Sequence, residues 1–236
     1  MIKLHQRNLA ATAQQNINLD KVAQRGCYNR PSFLTMHKHY NEVMLDLETL
    51  GLANDAAILS IGAVKFNLDD VETYEEIEKG YRRCFYRTIS LLDLKGAVDG
   101  ETVQWWLKQS EEARKTLHEA TSRNHDALTD YSDWLNIIEE GDLKLWANGA
   151  GFDPVILRSS YVRERLRAPW NFRQEMDVRT IKYLALQKDP EVDLNIYKIT
   201  DKGVAHNALS DAIRQVLLVQ RCWRALTGKL NESERK

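Results

Sequence analysis

The chain has 236 residues, of which 43% are hydrophobic and 28% charged, a composition typical of a globular protein with a sizeable core. Its formal net charge is −1, so the overall charge does not indicate a polyanionic partner. No apolar stretch approaches the ~20 residues of a membrane-spanning helix, and the opening MIKLHQR lacks the apolar segment of a secretory signal. Three widely separated cysteines indicate reduced thiols. We therefore expect a cytoplasmic protein that does not associate with membranes.

Residues 1–40 are more basic than the rest of the chain. They hold six Lys or Arg residues and one acidic residue, against 27 basic and 33 acidic residues afterwards. They are rich in Gln, Asn and Ala without clear periodicity, so we expect a poorly ordered N-terminal extension. A basic arm can contact nucleic acid, but a solvated tail has the same composition. Because Met36 directly precedes the first predicted strand, residues 1–35 could also extend a shorter protein, which mass spectrometry of the native product would test.

From residue 42 onwards, apolar alternation and turn residues predict a regular order of strands and helices. Strands are predicted over residues 42–48, 57–66, 81–88 and 143–147. Helices are predicted over residues 101–109, 111–120 behind the cap residue Ser110, 126–139, 152–165, 177–187 and 208–226. Three strands, then helices that alternate with a strand, imply an α/β fold with a mixed sheet flanked by helices. We expect one domain over residues 41–228, followed by a polar C-terminal tail over residues 229–236.

The first predicted strand carries two carboxylates in the stretch VMLDLE. Asp46 and Glu48 are two positions apart, so their side chains leave the same face of the strand. Two like charges on one face are costly unless a cation or protonation compensates them. The alternative is a solvent-facing strand edge, since Val43, Leu45 and Leu47 alternate with these acids on the opposite face.

Two further aspartates stand at the predicted starts of helices. Asp153 ends the stretch NGAGFD, and Asp211 ends the stretch HNALSD early in the last helix. Negative charge stabilises a helix N-terminus, so each of them taken singly reads as a capping residue. The four acids become informative only when they are considered together.

Taken together, the acidic segments resemble the three exonuclease motifs of the DEDDh (DnaQ-like) 3′→5′ exonucleases of the ribonuclease H-like superfamily. The matching stretches are DLETLG, NGAGFD and HNALSD, in that order, with His206 placed five residues before Asp211. One motif alone would be weak, but three in register make a strong signal. The resemblance covers about residues 42–226. The stretch WWLKQS, with NGAGFD, is similar in particular to phage and prophage exonucleases, namely exonuclease VIII-like and T4-type exonuclease A proteins, and to the related mycobacterial exoribonuclease group.

This resemblance implies a mixed five-stranded sheet and a metal-dependent 3′→5′ exonuclease that releases nucleoside 5′-monophosphates. In-line hydrolysis of a phosphodiester requires an activated water and compensation of charge on the attacking and leaving oxygens, and two Mg²⁺ or Mn²⁺ ions provide both. By the resemblance, Asp46 bridges the two ions, while Glu48 and Asp211 hold the ion next to the attacking water. Asp153 supports the second ion. A metal pair would offset the cost of adjacent carboxylates.

The same resemblance makes His206 the general base, because an imidazole can exchange a proton at neutral pH. Five residues along a helix correspond to a rotation of ~140°, so His206 and Asp211 cannot share a helical face. We therefore expect His206 in the loop before the last helix, with Gly203 leaving that loop free to move. A surface histidine without a catalytic role is the alternative.

Substrate contacts are expected next to the acidic residues. The family pattern implies that the terminal nucleotide meets Thr49, Leu50, Asn148 and Phe152, with Leu50 wedged against its base. Aromatic side chains can also stack on bases, and Trp106 is the predicted contact of this kind. Adjacent helical residues point about 100° apart, so at most one of Trp105 and Trp106 faces the substrate. Core packing is the alternative for either tryptophan.

Three functions agree with these patterns. The first is a 3′→5′ exonuclease acting on DNA 3′ ends, preferably single-stranded DNA. The second is an exoribonuclease with the same chemistry, because no residue that senses the 2′-hydroxyl can be identified. The third is a non-catalytic nucleic-acid-binding module or polymerase-associated adaptor, whose signature would be the loss of a catalytic acid. All five candidate residues are present, and no protein partner is predicted.

Overall fold

The computed structural model describes residues 40–80, 82–118, 120, 122–136 and 143–235. The expectations for residues 1–39, including a start at Met36, lie outside the described residues, as does the end of the helix predicted over residues 126–139. Within the described part of the chain, no helix is both long and apolar enough to cross a membrane.

The described domain is built on a mixed sheet of five strands in the order β3-β2-β1-β4-β5. The strands are β1 (Glu42–Thr49), β2 (Ile58–Phe66), β3 (Cys84–Thr88), β4 (Lys144–Ala147) and β5 (Glu175–Asp177). β2 is antiparallel to β1 and β3, whereas β4 is parallel to β1 and β5. The predicted mixed five-stranded sheet is confirmed. With three residues, β5 is too short to produce an alternating sequence pattern.

Helices flank this sheet in the described part of the chain. They are α1 (Tyr74–Glu78), α2 (Gly100–Leu107), α3 (Glu111–His118), α4 (Asn124–Leu135), α5 (Asp153–Arg163), α6 (Val178–Lys188), α7 (Ile196–Ile199) and α8 (Ala208–Thr227). Six of these helices were predicted, and the cap is observed, since the Ala113 N–H donates to Ser110 Oγ at 3.2 Å. α1 and α7 escape prediction because one turn contains too few residues to display helical periodicity.

The two faces of β1 contribute to two different cores, because successive strand side chains point in opposite directions. One face packs with α4 and α5 and supplies Val43, Leu45 and Leu47. The other face supplies Met44, which is fully buried among residues of α6 and α8. Asp46 and Glu48 continue this second face and are half-buried. The face that carries the two acids is therefore covered by α8 rather than open to solvent.

Residues 229–235 pack against the domain. Glu234 is 7% exposed and pairs with Arg224 of α8, and its carbonyl accepts a hydrogen bond from the Asp193 N–H at 3.0 Å. The polar segment after residue 228 is thus part of the folded domain rather than a separate tail, because a buried ion pair and a backbone bond hold it there.

Candidate active site

The acids of β1 lie where the strand ends. Asp46 pairs with Gly62 of β2, and Glu48 pairs with Ser60. The register shifts between Glu48 and Thr49, an irregularity that bends a strand and re-aims its side chains. Both carboxylates therefore point towards α8 at the edge of the packed core.

Gly62 allows α8 to come close to these acids. A Cβ atom on Gly62 would lie 2.2 Å from the carbonyl carbon of Ala208, so the absent side chain lets the first turn of α8 rest directly on β2. Asp211 belongs to that first turn. A glycine inside a strand pattern often marks such a close backbone approach, and this signal is present in the stretch ILSIGAVKF.

Asp153 connects α5 to the backbone of β1. It is the first residue of α5 and is 4% exposed. Its Oδ1 accepts a hydrogen bond from the Leu47 N–H at 3.1 Å, beyond the last β1–β4 pair at Met44 and Trp146. The carboxylate thus reaches across to the strand between Asp46 and Glu48, which a simple helix cap would not do.

His206 lies in the loop before α8, as predicted, and the helix is capped by Asn207. Its backbone adopts the left-handed conformation, with φ at 59°. The His206 N–H donates to Asp211 Oδ2 at 3.0 Å, and the imidazole packs edge to face against Trp105 with ring centroids 4.7 Å apart. The loop conformation, and not a shared helical face, brings the imidazole to the acids.

Hydrogen bonds tether this loop to α8. Arg214, which is 5% exposed, donates to the Gly203 carbonyl at 2.8 Å and to Asp211 Oδ1 at 2.6 Å. Gly203 has φ at +83°, and a Cβ atom there would lie 2.5 Å from Tyr74 Oη. Gly203 was expected to leave the loop free to move, and these contacts give it a steric role as well. A left-handed backbone and close contact with Tyr74 require this glycine.

Asp46 lies among three other carboxylates. Burial raises its pKa well above the usual range, and three neighbouring carboxylates add to the rise: Asp153, Glu48 and Asp211. The Gln215 Nε2 donates to Asp46 Oδ1 at 2.7 Å and opposes this rise. Asp46 is therefore close to all the other acids of the site.

Two other carboxyl groups share this perturbation. Burial, followed by repulsion from Asp211 and Asp153, raises the pKa of Glu48 to about 8. Burial raises the pKa of Asp153 to about 7, against the opposing effects of the Leu47 N–H and the Arg179 guanidinium. Such a cluster holds excess negative charge that a bound cation would neutralise.

The donor set fits a divalent cation. Ligand atoms of Glu48, His206 and Asp211 all lie within 4.8 Å of one another. With Asp46 they line a cavity of about 310 Å³, here named the acid cavity, which Asn148 and Tyr197 also line. Carboxylate oxygens from separate elements are the ligands that Mg²⁺ and Mn²⁺ prefer. The acid cavity is therefore a candidate metal centre.

A second cavity adjoins the first one. It has a volume of about 630 Å³, and Leu47 and Glu48 line both cavities. Thr49, Phe152 and Trp105 also line it, and it is named the tryptophan cavity below. Of the predicted substrate contacts, Thr49 and Phe152 thus lie at this cavity and Asn148 lies at the acid cavity.

Leu50 is buried, and Trp106 lines the tryptophan cavity although it is almost fully buried. Leu50 is 6% exposed and packs with Leu59, and Trp106 is 1% exposed. The Trp106 indole donates to the Thr49 carbonyl at 2.9 Å and so supports the backbone after the acids. The more exposed residues of the tryptophan cavity are Leu52 and Trp105, at 76% and 41%, and substrate contacts at Leu50 and Trp106 stay predictions.

Sequence reasoning missed three polar residues that hold the site. Gln215 donates a hydrogen bond to Asp46, and Arg214 donates one to Asp211. Arg214 and Gln215 follow Asp211 by three and four residues on one helix, and this spacing was a usable signal. Asp177 accepts a hydrogen bond from the Ala150 N–H at 2.9 Å and thereby positions the loop before Asp153. No sequence pattern indicated this last contact, because 27 residues separate its partners.

Residues 41–223 match the family of 3′-5′ exoribonuclease Rv2179c-like domains. The match includes all four acids and His206. The chain belongs to this family. The protein is thus a 3′→5′ exonuclease of the DEDDh class with the ribonuclease H-like fold, as predicted, and this class depends on divalent metal ions.

Known proteins resemble this exonuclease over most of its length. It is 26% identical over 210 residues to the exodeoxyribonuclease of Enterobacteria phage T4. This match covers 79% of this chain and 91% of the relative. The nuclease domain of 3′hExo, a DEDDh family member bound to rAMP, has a TM-score of 0.53 at 16% identity and covers 84% of this chain and 99% of that one. Pop2p of S. pombe, in a form with Mg²⁺ and Mn²⁺ bound, has a TM-score of 0.54 at 14% identity and covers 94% and 93%. At such identities the two structures show a shared fold.

Proposed function

We propose that this exonuclease removes nucleoside 5′-monophosphates from the 3′ end of single-stranded DNA by a two-metal mechanism with His206 as the general base. One observation carries the proposal: Asp46, Glu48, Asp211 and His206 converge on a single cavity. Asp153 joins them through its bond to the backbone of the same strand. Buried carboxylates repel one another, so this arrangement is unfavourable unless it is used to hold cations.

The four carboxylates would hold two Mg²⁺ or Mn²⁺ ions. When bound, such ions compensate charge on the attacking and leaving oxygens of an in-line displacement. Asp46 is close to each of the other three acids, as its raised pKa indicates, and this proximity would let it hold metal together with them. The related fold of Pop2p binds Mg²⁺ and Mn²⁺, which supports the choice of these metals.

His206 would accept a proton from the attacking water. Its backbone N–H bonds to Asp211, whereas its ring nitrogens make no hydrogen bond among the described residues. The ring is held by its edge-to-face contact with Trp105. The imidazole is thus oriented by packing while both nitrogens stay available for proton transfer.

The tryptophan cavity would receive the 3′-terminal nucleotide. Its exposed apolar groups, Leu52 and Trp105, offer surfaces on which a base can stack without sequence preference. Phe152 and Thr49 complete its wall. The adjoining acid cavity would then face the scissile phosphodiester, which explains attack on the end of a strand.

DNA is the proposed substrate because the curated relative at 26% identity is named an exodeoxyribonuclease. An exoribonuclease is the second candidate, favoured by the family description and by the rAMP bound to 3′hExo. The two polymers differ at each site by the 2′-hydroxyl, and a direct comparison of substrates separates them.

The test is a time course on matched single-stranded DNA and RNA labelled at the 5′ end, with Mg²⁺ or Mn²⁺. We expect a ladder that shortens from the 3′ end and faster degradation of the DNA. Faster degradation of the RNA would support the exoribonuclease instead. A chelator should stop both reactions, and activity in excess chelator, or shortening from the 5′ end, would contradict the proposal.

A further inference from the structure

A third cavity lies on the far side of the acid cavity. It has a volume of about 630 Å³ and is lined by residues of α6 and α7 and of the segment between them, among them Arg179, Lys182, Tyr183 and Tyr197. We name it the tyrosine groove. Its volume is in the range of sites that hold nucleotide-sized ligands.

The three cavities follow one another along the surface. Leu47 and Glu48 line both the tryptophan cavity and the acid cavity. Asn148 and Tyr197 line both the acid cavity and the tyrosine groove. The acid cavity therefore lies between the other two. A strand that ends in the tryptophan cavity and passes the acids reaches the tyrosine groove next.

The charge of the groove suits a phosphate backbone. In the described part of the chain, Arg179 and Lys182 have no carboxylate partner within the 4.0 Å of an ion pair. The Arg179 guanidinium lies against Gly149, where a Cβ atom would come within 3.2 Å of its Cζ. Arg179 acts electrostatically on the nearby carboxylates of Asp153 and Asp177 without a close ion pair, and together with Lys182 on the same helix it can neutralise phosphates and release counterions.

The groove also presents aromatic surface. Tyr183 is 60% exposed and Tyr197 is 70% exposed, over apolar residues such as Leu186 and Leu218. Large exposed aromatic rings next to basic side chains are the combination by which proteins bind single-stranded nucleic acid without sequence preference.

We propose that the tyrosine groove binds the nucleotides upstream of the scissile bond, with Arg179 and Lys182 on the phosphates and Tyr183 and Tyr197 stacked on bases. This inference rests on the proposed function, since it extends the path of the same strand. It assigns these four residues the binding of the substrate strand beyond its 3′-terminal nucleotide. Single-stranded ends suit the groove because the bases must be free to stack.

The experiment compares two substrates in Lys182→Ala and Tyr183→Ala, which line the groove and not the acid cavity. One substrate is a 5′-labelled oligodeoxythymidine long enough to cross the groove, and the other is the p-nitrophenyl ester of thymidine 5′-monophosphate. For both variants we expect KM for the oligonucleotide to rise about 5-fold or more, with kcat on the small ester retained. Lys188→Ala, an exposed lysine at the end of the same helix, is the matched control and should leave both parameters unchanged.

Equilibrium binding of the labelled oligonucleotide, measured by fluorescence anisotropy in chelator, tests strand binding in the groove independently of the proposed catalytic function. Lys182→Ala should reduce the slope of log Kd against log salt by about 0.7, as one lost phosphate contact does for a single strand, whereas Tyr183→Ala should weaken binding without changing the slope. Wild-type affinity and slope in both variants would overturn the proposal that the tyrosine groove binds the upstream nucleotides. Failure of the wild-type enzyme to hydrolyse either substrate would overturn the proposed function. The binding result would then still decide whether the tyrosine groove binds the strand.

Discussion

The Asp46 carboxylate has the three other acids of the candidate site as neighbours. Burial and three neighbouring carboxylates raise its pKa, and the amide of Gln215 stabilises its charged form. A site of this kind costs folding free energy while no cation is bound. Loss of the charge should therefore affect catalysis and stability in opposite directions.

Asp46→Asn should lower kcat at least about 100-fold, because a neutral amide is a poor metal ligand. The same change should raise Tm of the metal-free protein by about 2 °C or more, since repulsion from Glu48 and Asp211 is removed. Oligonucleotide degradation and calorimetry in chelator measure the two effects. Asp201→Asn, at an exposed acid, is the control. Full activity in Asp46→Asn would be incompatible with the proposed mechanism.

Gln215 has a positioning role that can be measured separately. Gln215→Ala removes the donor to Asp46 Oδ1, and loss of a partner of a metal ligand typically costs about 10–100-fold in metal affinity or activity. We expect the Mn²⁺ concentration for half-maximal activity to rise, with partial recovery at high metal. Gln187→Ala, exposed on α6, should behave like the wild type. An unchanged metal dependence in Gln215→Ala would show that the hydrogen bond has no such role.

At the scale of elements, the loop before α8 contributes to the candidate site as much as α8 itself. It carries His206 on a left-handed backbone, and hydrogen bonds from Arg214 hold its carbonyl groups at Gly203 and Val204. We therefore expect the loop to act as a fixed arm whose shape sets the position of the imidazole.

Gly203→Ala tests this arm. The variant combines a left-handed backbone with a clash against Tyr74, so we expect kcat to fall about 10-fold or more because the imidazole is displaced. Gly228→Ala is the matched control, since its φ is also positive, at +72°, but nothing lies within 4 Å of the added Cβ. The control should lose about 1 kcal/mol of stability through backbone strain alone and keep its kcat. Equal kcat values in both variants would contradict a fixed loop.

Prediction of the elements succeeded where a periodic pattern is long. The nine residues of β2 and the 20 residues of α8 contain several repeats of their pattern, so their bounds were predicted within one residue. α7 has four residues, about one helical turn, so its pattern does not repeat within the helix. This short helix nevertheless carries Tyr197 to two of the three cavities, which is why sequence reasoning missed the tyrosine groove.

For the whole molecule, the raised pKa values predict how stability depends on pH and metal. Glu48 and Asp153, with pKa values of about 8 and 7, bind more protons in the folded state than in the unfolded state between about pH 4.5 and 8. The stability of the metal-free protein should therefore fall as pH rises through this interval. A divalent cation replaces the protons and should stabilise the protein more at the alkaline end.

Thermal unfolding at about pH 6 and pH 8.5, with chelator or with Mn²⁺, measures this linkage. We expect Tm of the metal-free protein to be lower at pH 8.5 by about 2–4 °C, and Mn²⁺ to restore it. Glu48→Gln should reduce the difference, and KCl at matched ionic strength controls for screening. A metal-free Tm that is constant or rises over this interval would contradict a strained acid cluster.

By itself, the sequence determined the α/β class and the order of the long elements, and it pointed to the four acids and the histidine of the candidate site. These properties follow from local periodicity and from motif spacing, both of which are carried by the chain order. Only the tertiary structure decided that Trp105 rather than Trp106 is exposed and that Leu52 rather than Leu50 lines a cavity. It alone brought Gln215 to Asp46, 169 residues away. The physical reason is that burial and pairing depend on neighbours distant in sequence, here on the close packing of α8 against Gly62.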